Sequence, residues 1–434
     1  MDLMHNKKIQ DYINEVCSQV RFKKVHQEIK LELETHFQEI VEEYLEQGFS
    51  EEEAIDKAIS QMGDANLIGK QLNKVHKPKP EWSILLLSLL FINIGLLAMY
   101  FIQKQELLTN GMRLFEKSLL FSFISLISIV SLYFFDYSKL EKYSRHIYLG
   151  TLLILLFTVL WGIKVNGSRC WLSLGLFTVN IVAISPLLFV IALAGIFNQW
   201  NWNSPQKLLQ GLLLLAVPLI IILAAPSIST GIIFTVACIA LTIVSGAKLK
   251  QIFLIASSFI ALLMLPIVTQ TYRLKRLISF FNPEGDPLGS GYLNIQLSKI
   301  LSESGLFGQG LTFNPQTLPE LHTDFIFAFI TYTFGWIASV LLISFVIIFL
   351  VRIAYIAKQV KTSYARLLIS GFVSILAVQF LWNIFMNLGL VPISQVGLPF
   401  ISYGGSQLVI NAATIGIISS IYRQRNISQN STLF

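Results

Sequence analysis

From Glu81 onward the chain passes through about ten apolar stretches of near-bilayer length, and this feature limits its fold more than any other. A hydrocarbon layer about 30 Å thick takes about 20 helical residues to cross. Inside it the backbone groups must be satisfied without water. The stretches lie near 83–103, 118–135, 147–165, 179–199, 208–224, 230–246, 252–270, 323–351, 367–387 and 404–422. Charge confirms the division, because fifteen of the 25 acidic residues fall within residues 1–80. A doubly wound sheet, a disulfide scaffold and a disordered chain are excluded. The expected fold is all-α: a polytopic membrane protein of about ten transmembrane helices behind a small cytoplasmic helical domain.

A net charge of +7 raises the question of nucleic acid. Position answers against it. Lys139, Lys142, Arg145, Lys207, Lys248, Lys250, Arg352, Lys358, Lys361, Arg366, Arg423 and Arg425 sit in short connections or the tail, on one face if the spans alternate. That is the positive-inside pattern, not a phosphate-binding surface. An even number of spans with a cytoplasmic amino terminus places both termini and the 352–366 connection inside, and 271–322 outside. Cys17, Cys170 and Cys238 show neither metal spacing nor a disulfide framework. No cleavable leader is expected, since the first apolar span begins only near residue 83.

Residues 1–76 read as a helical domain. Ile29, Leu33, Phe37, Ile40 and Tyr44 form a stripe at three-to-four spacing, ended by Gly48. Ser50 with Glu53 makes a capping box for a second helix. Gly63-Asp64 breaks the chain before a short helix near Leu67 and Leu72. Residues 77–82 are a basic, proline-containing linker. The layout resembles the permease-prefix domains that precede other membrane proteins. The membrane domain is expected over 83–425, followed by a cytoplasmic tail, 426–434.

The 271–322 connection is the long one in a chain of short ones, and loops of that length are usually functional. Five of the ten carboxylates beyond residue 80 lie between 284 and 324. Arg273, Lys275 and Arg276 open the loop with charge suited to a phosphate group. Glycines at 285, 289, 291, 305, 308 and 310 point to tight turns against a ligand or a membrane surface. On spacing alone, an ordinary solvated loop fits as well.

Motifs separate the two. The run Asn282-Pro283-Glu284-Gly285-Asp286-Pro287-Leu288-Gly289-Ser290-Gly291-Tyr292 resembles the loop signature of the SEDS family, the FtsW/RodA/SpoVE group. Gly305-Leu306-Phe307-Gly308-Gln309-Gly310-Leu311 and Leu318 to Ala328, including His322-Thr323-Asp324, continue it. Asn383 to Asn387 and Gly397 to Ser406 resemble the family's last loop and helix. The resemblance covers roughly residues 85–425. It implies a peptidoglycan glycosyltransferase of the bacterial plasma membrane that polymerises lipid II, the undecaprenyl-pyrophosphate-linked precursor, in wall synthesis for shape, division or sporulation. It also implies a class B penicillin-binding protein as partner, beside membrane lipids. By the same resemblance Asp286 is the catalytic carboxylate. Arg169, Trp171, Arg273, Arg276, Tyr292, Gln296, Glu320, His322, Asp324, Ser402 and Ser406 become candidate substrate-binding residues. No cofactor is indicated. A divalent cation beside Asp286 is compatible with the loop carboxylates, although no ligand cluster demands one.

Several family positions differ. Gly167-Ser168-Arg169-Cys170-Trp171 stands where the family carries an Arg-Trp pair, so the arginine is one place early. Ile181-Val182-Ala183 replaces Pro-Ser-Glu. Ala225-Pro226-Ser227-Ile228-Ser229-Thr230 replaces a Gln-Pro-Asp-x-Gly-Thr motif, and Tyr332 and Thr333 replace paired glutamates. Every change neutralises an ionisable group in or near the membrane, where such groups are normally kept for function. Both an active transferase on a more neutral scaffold and a non-catalytic relative that binds or translocates the precursor fit these losses.

Overall fold

The computed structural model describes residues 6–75, 77, 80–105, 113–165, 167–173, 175, 178–311 and 318–425. Pro78 and Lys79 of the linker and the whole 426–434 tail lie outside the described residues. The chain divides into two compact units. One holds the residues up to Pro80; the other holds Glu81–Gln359 and Ser363–Ile421.

The first unit has four helices: α1 (Lys7–Gln19), α2 (His26–Glu46), α3 (Glu51–Met62) and α4 (Ala65–Val75). The α2 stripe is buried as its spacing requires, with Ile29 and Phe37 in the core beside Ile13, Val16 and Val41. Ser50 accepts the Glu53 N–H (3.4 Å) while Glu53 Oε2 accepts the Ser50 N–H (3.1 Å), a reciprocal cap at the start of α3. Helix α1 was not read from the sequence. Its apolar positions Ile9, Tyr12, Ile13, Val16 and Cys17 follow helical periodicity and are all buried.

The second unit is a helical bundle: α5 (Trp82–Lys104), α6 (Leu114–Phe134), α7 (Ser138–Lys142), α8 (Ser144–Trp161), α9 (Ile181–Phe197), α10 (Pro205–Ala224), α11 (Ile228–Val244), α12 (Leu249–Thr269), α13 (Thr271–Phe281), α14 (Tyr292–Glu303), α15 (Ile326–Gln359), α16 (Ser363–Asn387) and α17 (Gly405–Arg423). Among the described residues eight of these helices are long and apolar enough to cross a membrane. Helices α9 and α11, at 17 residues each, stand where the other two spans were expected and meet the lower length limit of about 17. This is a multi-pass membrane protein.

Three parts of the bundle depart from the sequence expectation. Between α8 and α9 the chain forms a three-stranded antiparallel sheet, β1 (Ile163–Val165), β2 (Ser168–Ser173) and β3 (Thr178–Asn180), in the order β1-β2-β3. The long 271–322 connection carries two helices, α13 and α14, joined through a 3-10 turn at Pro283–Gly285. The 352–366 connection is mostly helix: α15 continues to Gln359, so Arg352 and Lys358 sit on its last turns. Helix α15 is also broken internally at Gly335 (φ 85°, ψ 173°), a conformation open to glycine alone.

Connectivity sets the site. The ends of α8, α10, α12 and α16 and the starts of α9, α11, α15 and α17 all belong to one end of the bundle. The sheet, the α13–α14 arm and the 388–404 connection therefore gather there. Phe91 of α5, Phe349 of α15 and Phe380 of α16 pack with Phe400 from that connection, with ring centroids 5.4 to 6.5 Å apart. Gly95 permits the approach, because a Cβ there would lie 2.7 Å from the Ile401 carbonyl oxygen.

Candidate active site

The best-anchored part of the site is the turn from Glu320 to Phe325. Glu320 adopts φ 54°, a left-handed backbone uncommon for a side-chain-bearing residue. Its carbonyl accepts the N–H groups of Thr323 and Asp324, both at 3.1 Å. Two distant segments hold this turn. Ser402 Oγ donates to the Thr323 carbonyl (2.6 Å) and accepts the Leu398 N–H (2.7 Å). The Tyr403 N–H donates to the His322 carbonyl (2.8 Å). Asn383 and Asn387 of α16 both donate to the Asp324 carbonyl, at 2.9 and 3.1 Å. Asn387 Oδ1 also accepts the Ala328 N–H (3.3 Å). The Asn387 amide thus sits inside what would be the first i to i+4 bond of α15, displacing the turn from helical geometry. Both asparagines are fully buried. They hold the turn in place, whereas in the sequence they stand out only as part of a motif.

Burial, with help from Glu320, pushes the Asp324 carboxyl up to about 7, and Arg276 opposes the shift. Burial also lowers the affinity of His322 for a proton, against the pull of Glu320. His322 Nδ1 is buried without a hydrogen-bond partner, and its ring lies 5.5 Å from that of Tyr403.

Asp286 is different. Its carboxylate is exposed, and Oδ2 accepts both the N–H (2.9 Å) and the hydroxyl (3.0 Å) of Ser290. These bonds, with Gly289 and the charge of Lys275, hold it below the usual carboxylate range. The Ser290 hydroxyl in turn meets that of Ser279 on α13. The close turn here needs glycine at 291, since a Cβ there would fall 2.0 Å from the Pro283 carbonyl oxygen.

The cations come from α13. Arg273 is 7% exposed; its Nη2 donates to the Pro226 carbonyl (3.3 Å), its Nε to the Tyr272 hydroxyl (3.1 Å), and Nη1 has no partner. Lys275 acts on Asp286 and Arg276 on Asp324. Among the described residues no carboxylate lies within 4.0 Å of any of the three.

Arg169 does not join them by contact. It is exposed on β2 and donates to the Leu160 carbonyl at the end of α8 (2.5 Å). Neighbouring Cys170 is buried with Sγ 3.5 Å from the Ala225 carbonyl, and half-buried Trp171 pairs with Ile163 and Asn180. The Ala225–Pro226 turn is therefore touched by β2 on one side and Arg273 on the other. Tyr292 and Gln296 are half-buried on the first turns of α14, and Ser406 is half-buried at the start of α17. Among the described residues no three His, Cys, Asp or Glu side chains are grouped to hold a metal ion.

A bundle of membrane helices that collects cations, a free carboxylate and a rigid polar turn at one end is an integral membrane protein with a site at its aqueous boundary. The chain belongs to the FtsW/RodA/SpoVE family of cell cycle proteins, whose profile matches residues 81–427. It is 28% identical over 362 residues to stage V sporulation protein E of Bacillus subtilis (strain 168), covering 80% of this chain and 98% of the relative. It is 33% identical over 293 residues to the probable peptidoglycan glycosyltransferase FtsW of Coxiella burnetii, covering 65% and 78%. To the peptidoglycan glycosyltransferase MrdB of Escherichia coli (strain K12) it is 29% identical over 300 residues, covering 67% and 80%. The fold is that of a chain solved in a study of how a peptidoglycan synthase complex coordinates polymerization and crosslinking (TM-score 0.68, 21% identity, 80% and 99% covered). It is also that of the rod shape determining protein RodA of Thermus thermophilus (TM-score 0.62, 20% identity, 80% and 98% covered).

Proposed function

We propose that this protein is a peptidoglycan glycosyltransferase that polymerises lipid II at the outer face of the plasma membrane, with both termini cytoplasmic. The observation that carries the reading is the α13–α14 arm. On α13 it carries Arg273, Lys275 and Arg276, none within 4.0 Å of a described carboxylate, and beside them an exposed aspartate, at the end of the bundle opposite the basic connections.

The chemistry follows from these groups. A sugar hydroxyl of one precursor attacks the anomeric carbon of another. The new C–O bond forms as the bond to pyrophosphate breaks, with inversion, and Asp286 takes the hydroxyl proton. Arg273, Lys275 and Arg276 receive the departing negative charge; Arg273 is suited to this because its unpaired Nη1 is already desolvated. The turn carrying His322 and Asp324 is fixed by Ser402, Asn383 and Asn387, and Arg276 acts on its Asp324. Arg169, engaged with Leu160, contributes less than the α13 cations. A crosslinking enzyme of the class B penicillin-binding type is the proposed partner, in line with the synthase complex whose chain shares this fold.

Purified protein supplied with lipid II should make glycan strands. Asp286→Asn should lower the rate by about 100-fold or more while leaving the protein folded. Glu284→Gln should have little effect. A wild type that binds lipid II but makes no strands would replace this reading with precursor binding or translocation.

A further inference from the structure

The break in α15 falls nine residues into the helix, about 14 Å from its start. A break inside a helix frees backbone groups that need new partners. The segment after α14 satisfies them. The Trp336 N–H donates to the Gly305 carbonyl (3.1 Å) and the Ile337 N–H to the Leu306 carbonyl (3.2 Å). In return the Gln309 N–H donates to the Tyr332 carbonyl (2.8 Å) and the Gly310 N–H to the Thr333 carbonyl (3.2 Å). These bonds fasten residues 305–310 into the gap in α15. The Trp336 indole N–H adds a tie to the Leu301 carbonyl of α14 (3.3 Å).

Two glycines make the fit. Gly308 has φ 82°, and a Cβ there would lie 2.4 Å from the Thr333 carbonyl oxygen; one at Gly335 would lie 2.2 Å from the Leu306 carbonyl oxygen. Both neighbours are backbone and cannot turn aside. At Gly310 (φ 68°) nothing lies within 4 Å.

The clasp joins the two halves of the site. Asp286 lies on the arm that leads through α14 into residues 305–310, whereas Asp324 lies on the turn that leads straight into α15. Among the described residues no side-chain hydrogen bond links Asp286 to the 320–325 turn. We propose that Gly308 and Gly335 are positioning residues for glycosyl transfer, acting through this backbone clasp to hold the Asp286 arm in register with the Asp324 turn. The inference rests on the glycosyltransferase reading for its activity arm only.

The test uses the full chain with spin labels at Leu288→Cys on the arm and Leu390→Cys on the connection after α16, both exposed positions. The native cysteines are buried. The labelled parent should give a narrow distance distribution, which Gly308→Ala broadens. The same substitution should lower turnover of lipid II by about 100-fold, since a misplacement of about 1 Å is enough for that. KM should change by less than about threefold, as expected where the ground-state contacts are kept. Leu306→Ala, which leaves the backbone bonds in place, should keep parental turnover. If Gly308→Ala does not fold, Trp336→Phe removes only the indole tie and should give the same broadening to a smaller degree. A parental distance distribution in a folded Gly308→Ala or in Trp336→Phe overturns the proposal. A parent without polymerising activity overturns the glycosyltransferase reading instead, and the distances still decide the clasp.

Discussion

The asparagine pair of α16 offers a quantitative check on how the 320–325 turn is held. Asn383→Ala removes the donors to the Asp324 and Val396 carbonyls, at 2.9 and 2.7 Å. Asn387→Ala removes another donor to the Asp324 carbonyl and orphans the Ala328 N–H. With about 0.5–1.5 kcal/mol net for each hydrogen bond, Asn383→Ala should cost about 1–3 kcal/mol, and Asn387→Ala, which also loses its bond to the Asn383 carbonyl (2.8 Å), about 1.5–4.5 kcal/mol. The double variant differs in kind, because the Asp324 carbonyl then keeps neither side-chain donor. Leaving that buried acceptor unsatisfied costs about 1–3 kcal/mol more. The weak Asn387–Asn383 side-chain bond (3.4 Å), counted in both singles, takes back a fraction of it. A double-mutant cycle should therefore show the pair costing more than the sum of the singles, by about 1 kcal/mol. Unfolding in mixed micelles of graded denaturing detergent, followed by tryptophan fluorescence, measures all four corners. Additivity within about 0.5 kcal/mol would refute the reasoning. It would mean that the turn collapses into α15 and remakes the direct Ala328 to Asp324 bond.

Further outcomes follow from the same geometry. Reporter fusions at Ser302 and Lys361 should report opposite compartments, and the same compartment for both would overturn the ten-span topology. Arg273→Gln should weaken lipid II binding by about tenfold or more, the loss expected of a charge-assisted contact of about 1.5–3 kcal/mol, whereas Arg169→Ala should leave affinity in matched detergent unchanged. The folded-state value for Asp324, about 7, lies above the ordinary value of about 3.9. The folded protein therefore binds the extra proton, and this stabilisation is complete below about pH 4 and lost as pH rises through 7. Asp324→Asn, which cannot ionise, should flatten the fall in melting temperature between those limits; an unchanged pH profile would remove Asp324 as its source.

The spans were legible because the bilayer imposes one requirement on every residue that crosses it. Apolar length alone located ten helices, with ends close to the helical limits except at α15, and among the described residues eight of them are long and apolar enough to cross a membrane. The arm was legible in part. Its α13 segment alternates cations with Leu274, Ile278 and Phe281, which a helical reading would have placed on one exposed face. The prolines and glycines at 283–291 instead drew attention to turns. The β2 strand was hidden because six residues with one buried cysteine do not alternate clearly. Invisible at any level of local pattern was the meeting of His322-Thr323-Asp324 with Asn383, Asn387 and Ser402. These residues are dozens of positions apart, and only tertiary packing brings them together. The break at Gly335 was hidden for the converse reason. One glycine in an apolar run is usually tolerated within a helix, and the glycines that explain it lie about 30 residues away at 305–310.

The neutral residues that set this chain apart from the family pattern gain a physical account from where they fall. The main-chain carbonyls of Tyr332 and Thr333 close the clasp, and the Thr333 side chain is 4% exposed with its hydroxyl unpartnered. A glutamate at 333 would place a charge in a desolvated gap, which is costly without a partner. At another lost position, Ser227 bonds to Thr230 (2.8 Å), one residue from the Pro226 carbonyl that receives Arg273. An aspartate at 227 would stand next to that guanidinium and compete for it. With serine in its place Arg273 is left with a carbonyl, a phenol and an unpaired Nη1, and its charge is not neutralised within the protein. A buried cation in that state is costly to the fold and is best compensated by an anion from outside. The loss of carboxylates around the site therefore need not mark a site falling out of use. If the proposed lipid II is the substrate, the cations of α13 depend more on its pyrophosphate, and binding should then stabilise the arm.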